Sequence, residues 1–202
     1  MYRQRPDGRL SKDAKTMTEI EDSEISLMRP SVVTIRTAKP RDLPELNDMI
    51  ALLAAHHGDA AATTPEQLER DLFGPLPWIQ ALVAETGEGL IGYAILVPLY
   101  RAQEGKRGMD LHHLFVRDGH RGHGTGQLLV DRARETARNA GCGYLSVSAA
   151  TGNVLAHRFY ETAGFHAAAG DRHALHAVDR IGWPDRKSRF LAHGRERVTL
   201  AS

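Results

Sequence analysis

Arg121-Gly122-His123-Gly124-Thr125-Gly126 lies between a strand-like run, Leu111 to Val116, and a helix-like run that starts at about Gly124. A strand that runs through a glycine turn straight into a helix points bare backbone N–H groups at whatever sits in front of the turn. Glycines at 122, 124 and 126 let the main chain approach a ligand without Cβ interference and take up φ values that other residues avoid. The first amides of the helix have no carbonyl partner one turn back, and the helix dipole adds about half a positive charge at that end. Such an end binds phosphate. The spacing is not the Walker pattern, since no Lys-Ser/Thr follows the last glycine, and it is not the dinucleotide G-x-G-x-x-G.

Elements can be placed outward from this turn. Downstream, Leu129, Ala133, Ala137 and Ala140 recur at helical spacing, while Asp131, Arg134, Glu135 and Arg138 fall largely elsewhere, which predicts an amphipathic helix. Tyr144 to Ser148 reads as the next strand, Asn153 opens a helix to about Thr162, and Ala163-Gly164 turns into a strand at Phe165. Upstream, Val32 to Arg36 reads as a first strand. Asp42 with Glu45 predicts a capping box for a helix to about His57, and Thr64 with Gln67 predicts another for a second helix ending near Gly74-Pro75. Ile79 to Glu85 and Leu90 to Leu99 read as two strands of a hairpin joined through residues 86–89, with Pro98 implying an edge or an ending. Met109 to Val116 is the fourth strand.

Read as Arg121, Gly124 and Gly126, the turn matches Arg/Gln-x-x-Gly-x-Gly/Ala and resembles the acetyl-CoA pyrophosphate loop of the GNAT acetyltransferase superfamily. About thirty residues on, Asn153-x-x-Ala156-x-x-Phe159-Tyr160-Glu161-x-x-Gly164-Phe165 is similar to that family's asparagine-to-tyrosine helix and following strand. The resemblance covers roughly residues 32–166. Asp71-Leu72-Phe73-Gly74, Leu82-Val83-Ala84-Glu85 and Leu114-Phe115-Val116 look most like its spermidine/spermine (diamine) acetyltransferase branch. The resemblance implies an α/β fold of the GNAT (acyl-CoA N-acyltransferase) type: a mixed, mostly antiparallel sheet splayed between strands 4 and 5, with flanking helices. It also implies acetyl-CoA as co-substrate, direct transfer to a primary amine in a ternary complex, and a small polyamine-like or amino-acid-like acceptor. The alternatives are a protein amino group as acceptor, or a non-catalytic acyl-CoA sensor.

By the same resemblance, the strand edge at Leu114 and Val116 would pair with the pantetheine amides. Arg121, Gly122, His123, Gly124, Thr125 and Gly126 would hold the pyrophosphate, with Arg121 and His123 adding positive charge, and Asn153 would hydrogen-bond the pantetheine arm. Asn153 reads otherwise as an N-cap alone. Tyr160 is the expected general acid, since a phenol of pKa near 10 can give its proton to a developing thiolate; Phe159 beside it is expected in the core. The diamine branch carries two acidic residues where this chain has His112 and His113. Strict alternation sends neighbouring strand residues to opposite faces, so the two histidines are expected to act separately. His112, on the Leu114/Val116 side, is the candidate base, because an imidazole with pKa near 6.5 can work at neutral pH. A histidine hydrogen-bonded within the sheet is the other reading of His112 and the favoured one for His113. Glu85, Glu104 and Asp110 are the acidic residues nearby in sequence.

Composition sets the remaining expectations. At 202 residues the chain suits one domain. Its 26 basic against 25 acidic residues give a formal charge of +1, no global bias toward nucleic acid or membrane. The longest nearly apolar run, Leu90 to Tyr100, is eleven residues against the ~20 of a membrane span. Residues 1–30 read as a disordered extension, 31–168 as the acetyltransferase domain, and 169–202 as a segment without sustained period, in which Arg197 to Leu200 could add a strand. The lone Cys142 suits a reducing cytoplasm. Homodimerisation is a habit of the family only. No metal is expected: His56-His57 reads as a helix end, and two further ligands cannot be placed. Trp78 reads as a core aromatic, with a substrate-side role as the alternative.

Overall fold

A computed structural model describes residues 32–150, 152–167 and 174–180. The expected extension over 1–30 and the expected strand at 197–200 lie outside the described residues. In chain order the elements are β1 (Thr34–Thr37), α1 (Leu43–His56), α2 (Pro65–Phe73), β2 (Gln80–Thr86), β3 (Gly89–Arg101), β4 (Lys106–Val116), α3 (Thr125–Asn139), β5 (Tyr144–Ala150), α4 (Val154–Thr162), β6 (His166–Ala167) and β7 (Ala174–Arg180). The strands form one sheet of order β1-β2-β3-β4-β5-β7-β6, antiparallel throughout except where β4 runs parallel to β5. β7 lies within 169–202, the segment with no readable period, and it sits between β5 and β6.

Alternation along the strands sends side chains into two cores. Leu82, Ala84, Ala94, Leu96, Met109, Leu111, Leu145 and Val147 pack with Leu129, Val130, Ala133 and Ala137 of α3 and with Tyr160 of α4. Ala81, Val83, Tyr93, Ile95 and Phe115 pack on the other face with Leu46, Met49 and Ile50 of α1 and Leu68 and Leu72 of α2. Truncating a side chain as enclosed as Leu46 or Leu129, both 0% exposed, costs about 2–5 kcal/mol in cores of this kind.

The cap expected at Thr64 forms: Gln67 N–H donates to its hydroxyl at 3.3 Å, and the Gln67 side-chain Oε1 accepts from Thr64 N–H at 3.0 Å. The cap expected from Asp42 and Glu45 does not. A short 3-10 turn, Pro40–Asp42, precedes α1, and its geometry turns the Asp42 carboxylate back onto Lys39 N–H at 2.7 Å and onto Arg36 at 2.6 Å. Glu45 instead accepts Leu90 N–H at 2.9 Å, tying α1 to the start of β3. Pro98 is explained by length. β2 pairs with β3 only as far as Leu96, so Pro98 lies where β3 has outrun its neighbour and, among the described residues, keeps only β4 beside it.

Two irregularities shape the sheet around β4. The β4–β5 ladder covers only Gly108 to Leu111 against Tyr144 to Val147, after which Ser148 to Ala150 continue along β7. From His113 to Val116, β4 is paired on the β3 side alone among the described residues. This is the splay expected between strands 4 and 5. In addition, Ile95 pairs with His113 and Leu96 with Leu111, leaving His112 as the extra residue of a β-bulge. The bulge reverses the alternation. Before it the odd residues Met109 and Leu111 face α3, whereas after it the even residues Leu114 and Val116 do and Phe115 turns to α1.

Candidate active site

The glycine turn has the predicted form. A 3-10 turn, Asp118–His120, leads to Arg121, and Gly122 and Gly124 take φ of 78° and 84°, the left-handed region that favours glycine. Gly124 is the N-cap of α3, and the first helical bond runs from Leu128 N–H to the Gly124 carbonyl at 3.0 Å. The amides of Thr125, Gly126 and Gln127 therefore precede any helical acceptor. A Cβ at Gly122 or Gly124 would meet no atom of the described residues within 4 Å, so among these the front of the turn is open. Gly126 serves a different purpose: a Cβ there would meet the Phe159 ring at 3.3 Å, so its missing side chain lets α3 and α4 close together.

Arg121 is less available than expected. Its Nε donates to the Val116 carbonyl at 2.8 Å and its guanidinium pairs with Asp118 at 2.8 Å, which braces the turn against the end of β4. His123 is exposed. Asn153 caps α4, its Oδ1 accepting Ala156 N–H at 3.1 Å. Phe159 packs against the core as predicted, and its ring lies 5.3 Å from that of Tyr160. Tyr160 is 8% exposed. Burial, with the Asp110 charge adding to it, pushes its phenol up to about 12.

The histidines depart from expectation. Instead of facing opposite ways, the rings of His112 and His113 stack, centroids 4.8 Å apart and planes at 17°, because the bulge breaks the alternation between them; His112 therefore lies with His113 on the Tyr93 side of β4 and not, as expected, on the Leu114/Val116 side. His112 keeps 59% of its side chain exposed, with Nδ1 3.6 Å from Asp110 Oδ2. That carboxylate holds the imidazole above its ordinary range. His113 is more enclosed, its Nδ1 3.3 Å from the Tyr93 hydroxyl. Burial first, then the charges of His112 and His57, pulls it down to about 4.

Asp110 is the residue that sequence reasoning did not assign. Its Oδ1 accepts the Ser146 hydroxyl at 2.7 Å, across the parallel pair in which Asp110 and Ser146 are direct partners. The Asp-x-His spacing in a strand, which puts positions i and i+2 side by side, was its available signal. The other two acids lie elsewhere. Glu85 pairs with Arg36 at 2.7 Å and Glu104 with Lys106 at 2.8 Å. On the α1 face of β4, a cavity of about 270 Å³ is lined by Leu52, His56, Phe115, Arg117, Asp118 and Arg121. Trp78 is not in the core; it is 74% exposed after the turn that ends α2. Cys142 is buried. Among the described residues no three His, Cys, Asp or Glu side chains are grouped to hold a metal ion, and no helix is long and apolar enough to cross a membrane.

A strand that parts from its neighbour beside a glycine-led helix start is what the loop motif implied. The profile of the acetyltransferase (GNAT) family matches residues 46–165, more than half of the chain. The chain belongs to the GNAT acetyltransferase family. It is 30% identical over 142 residues to thialysine N-epsilon-acetyltransferase of Sus scrofa, covering 65% of this chain and 83% of the relative, and 29% identical over the same length to that of Bos taurus. Both support the diamine acetyltransferase-like branch expected from sequence. Among solved structures, an aminoglycoside acetyltransferase from an uncultured soil metagenomic sample, in complex with sisomicin, superposes with a TM-score of 0.61 at 19% identity, over 70% of this chain and 93% of that one. The yncA protein of Salmonella typhimurium, solved with acetyl-CoA, gives 0.61 at 18% identity, over 74% and 94%. At such identities the likeness is one of fold. This GNAT protein is an N-acetyltransferase, and acetyl-CoA is the co-substrate of its family.

Proposed function

We propose that this enzyme moves an acetyl group from acetyl-CoA to the primary amine of a small, amino-acid-like or polyamine-like molecule by direct transfer in a ternary complex, in the cytoplasm. The observation that carries the reading is the end of the β4–β5 ladder at Leu111 and Val147, immediately beside Asp110 and His112. The pantetheine amides would add a short strand to the free edge at Leu114 and Val116, a common way for an extended ligand to join a sheet. The pyrophosphate would sit before Gly122 to Gly126, where, among the described residues, open space, positive φ and amides without a helical acceptor coincide. The amide nitrogen of Asn153, whose oxygen is engaged as the cap, would reach the pantetheine arm.

An alkylamine with pKa near 10 holds its proton at pH 7, so its free-base form costs about 4 kcal/mol. Nε2 of His112 would take that proton, directly or through one water. The amine nitrogen then attacks the thioester carbonyl, the C–N bond forms, the C–S bond breaks, the departing thiolate takes the Tyr160 proton, and the proton that the nitrogen sheds on becoming an amide restores the phenol through water. A phenol raised to about 12 keeps its proton at neutral pH until the thiolate develops. Histidines in place of two carboxylates weaken the case for a polycation. The thialysine relatives support an acceptor that carries an amine on an amino-acid frame.

A thiol-release assay with acetyl-CoA against lysine analogues, polyamines, amino acids and aminoglycosides tests this, with calorimetry of CoA binding in parallel. Release with lysine analogues at the highest kcat/KM is the expected result. CoA binding without release for any small amine would favour a protein amino group, and an absence of CoA binding would overturn the reading.

A further inference from the structure

We propose that Asp110, anchored by Ser146, is a positioning residue that presents His112 to the acceptor with Nδ1 turned inward and Nε2 turned out. This rests on the reading of His112 as the base. The geometry is that of a carboxylate held at one oxygen and offered at the other. The Ser146 hydroxyl donates to Oδ1 at 2.7 Å, while Oδ2 lies 3.6 Å from Nδ1 of His112. Ser146 is 7% exposed and Asp110 partly buried, so the anchor is inside the protein, while His112 is exposed on the far side. Asp110 and Ser146 also occupy one of the last paired positions of the β4–β5 ladder before it opens, where backbone on both sides fixes them. The bulge at His112 then brings its ring over that of His113, which limits how far it can swing.

A carboxylate on Nδ1 does two things for an imidazole base. It selects the tautomer that carries its proton on Nδ1 and leaves Nε2 free, and it stabilises the imidazolium once a proton arrives. The groups that bear on the pair are His113 on β4, with Tyr93 of β3 and His57, the C-cap of α1, beyond it, and Tyr160 of α4, which feels the Asp110 charge. His113 stays neutral at working pH and so opposes His112 protonation little. The carboxylate that this acetyltransferase lacks at residues 112 and 113 is thus supplied two residues earlier and acts through the imidazole.

The test is an imidazole NMR titration of His112 in the full chain, assigned against His112→Gln, alongside the pH profile of kcat/KM with the best amine of the panel. In Asp110→Asn, His112 should titrate at lower pH, the acid limb of kcat/KM should move the same way, and the plateau should fall about tenfold. Ser146→Ala should shift both in the same direction by less, and it keeps the test open if Asp110→Asn folds poorly. An unchanged His112 titration in both variants would overturn the positioning role even where His112→Gln abolishes turnover. If the titration moves while the limb stays and His112→Gln retains full activity, His112 is not the base; the proposal falls with that reading, and the pair is structural.

Discussion

The glycine turn and the polar cluster on β4 are built from different materials. Before α3 the groups we propose as the phosphate cradle are backbone amides, and the side chains matter mainly by being absent, as at Gly122 and Gly124, or by bracing, as Arg121 does against Val116 and Asp118. On β4 the polar cluster is made of side chains, Asp110, His112 and His113, set by a bulge and by a partner on β5. Backbone sites are specified by conformation and tolerate change in neighbouring side chains. Side-chain clusters depend on register, and one residue inserted or lost rearranges them. The CoA-binding end of such a molecule should therefore fail through conformation and the acceptor end through chemistry.

The sharpest way to break that contrast is Tyr160→Phe, which removes a hydroxyl and leaves the packing. We expect kcat to fall about 100-fold with CoA affinity unchanged, read by steady-state kinetics and calorimetry; full turnover would remove Tyr160 from the proton path. Gly124→Val strikes the other side. With φ at 84° a β-branched residue is strained by about 1–2 kcal/mol, so CoA binding should weaken roughly 5- to 30-fold while His112 titrates as before. Unchanged affinity would discard the backbone cradle.

Asp42→Asn belongs to neither side and serves as the control. It breaks the bidentate contact of Asp42 with Arg36 at 2.6 and 2.9 Å and should cost about 1.5–3 kcal/mol in denaturant melts, with CoA affinity retained. The Arg36 guanidinium holds the Asp42 carboxyl below the usual carboxylate range. A depressed carboxylate stabilises the fold above its unfolded pKa of about 4 and loses that contribution as pH falls through its folded value, so acid melts should converge for the two proteins below about pH 4. His113, pulled down to about 4, likewise contributes stability above about 6.5 that is lost as pH drops toward 4. His112, held up by Asp110, has the opposite sign: its contribution is complete below about 6.5 and lost as pH rises through its folded value. The smallest effect is expected for Gly126→Ala, where Phe159 must yield a few tenths of an ångström: a slight loss of melting temperature and less than about a threefold change in CoA affinity.

The same contrast explains what could be read from letters alone. Glycines at 122 and 124, a cap at Thr64 and the Asn153 start of α4 are local requirements, written where they act, and the structure has them there. The stacked histidines were illegible because the bulge exists only in the pairing of Ile95 and Leu96 with β4. Asp42 was misread for a related reason: its capping pattern is genuine, but Arg36 from β1 competes for the carboxylate. β7 escaped notice because its place between β5 and β6 is decided by partners distant in sequence.

The length by which β3 outruns β2 has a colloidal consequence. Beyond Leu96, among the described residues, the β3–β4 ribbon has no partner on its β2 side, and Leu99 and Tyr100 there are 38% and 66% exposed, the kind of margin on which foreign chains stack into aggregates. Pro98 has no N–H to offer such a visitor, and Arg101, Lys106 and Arg107 put positive charge at the ribbon's tip, both of them features that blunt an exposed strand edge.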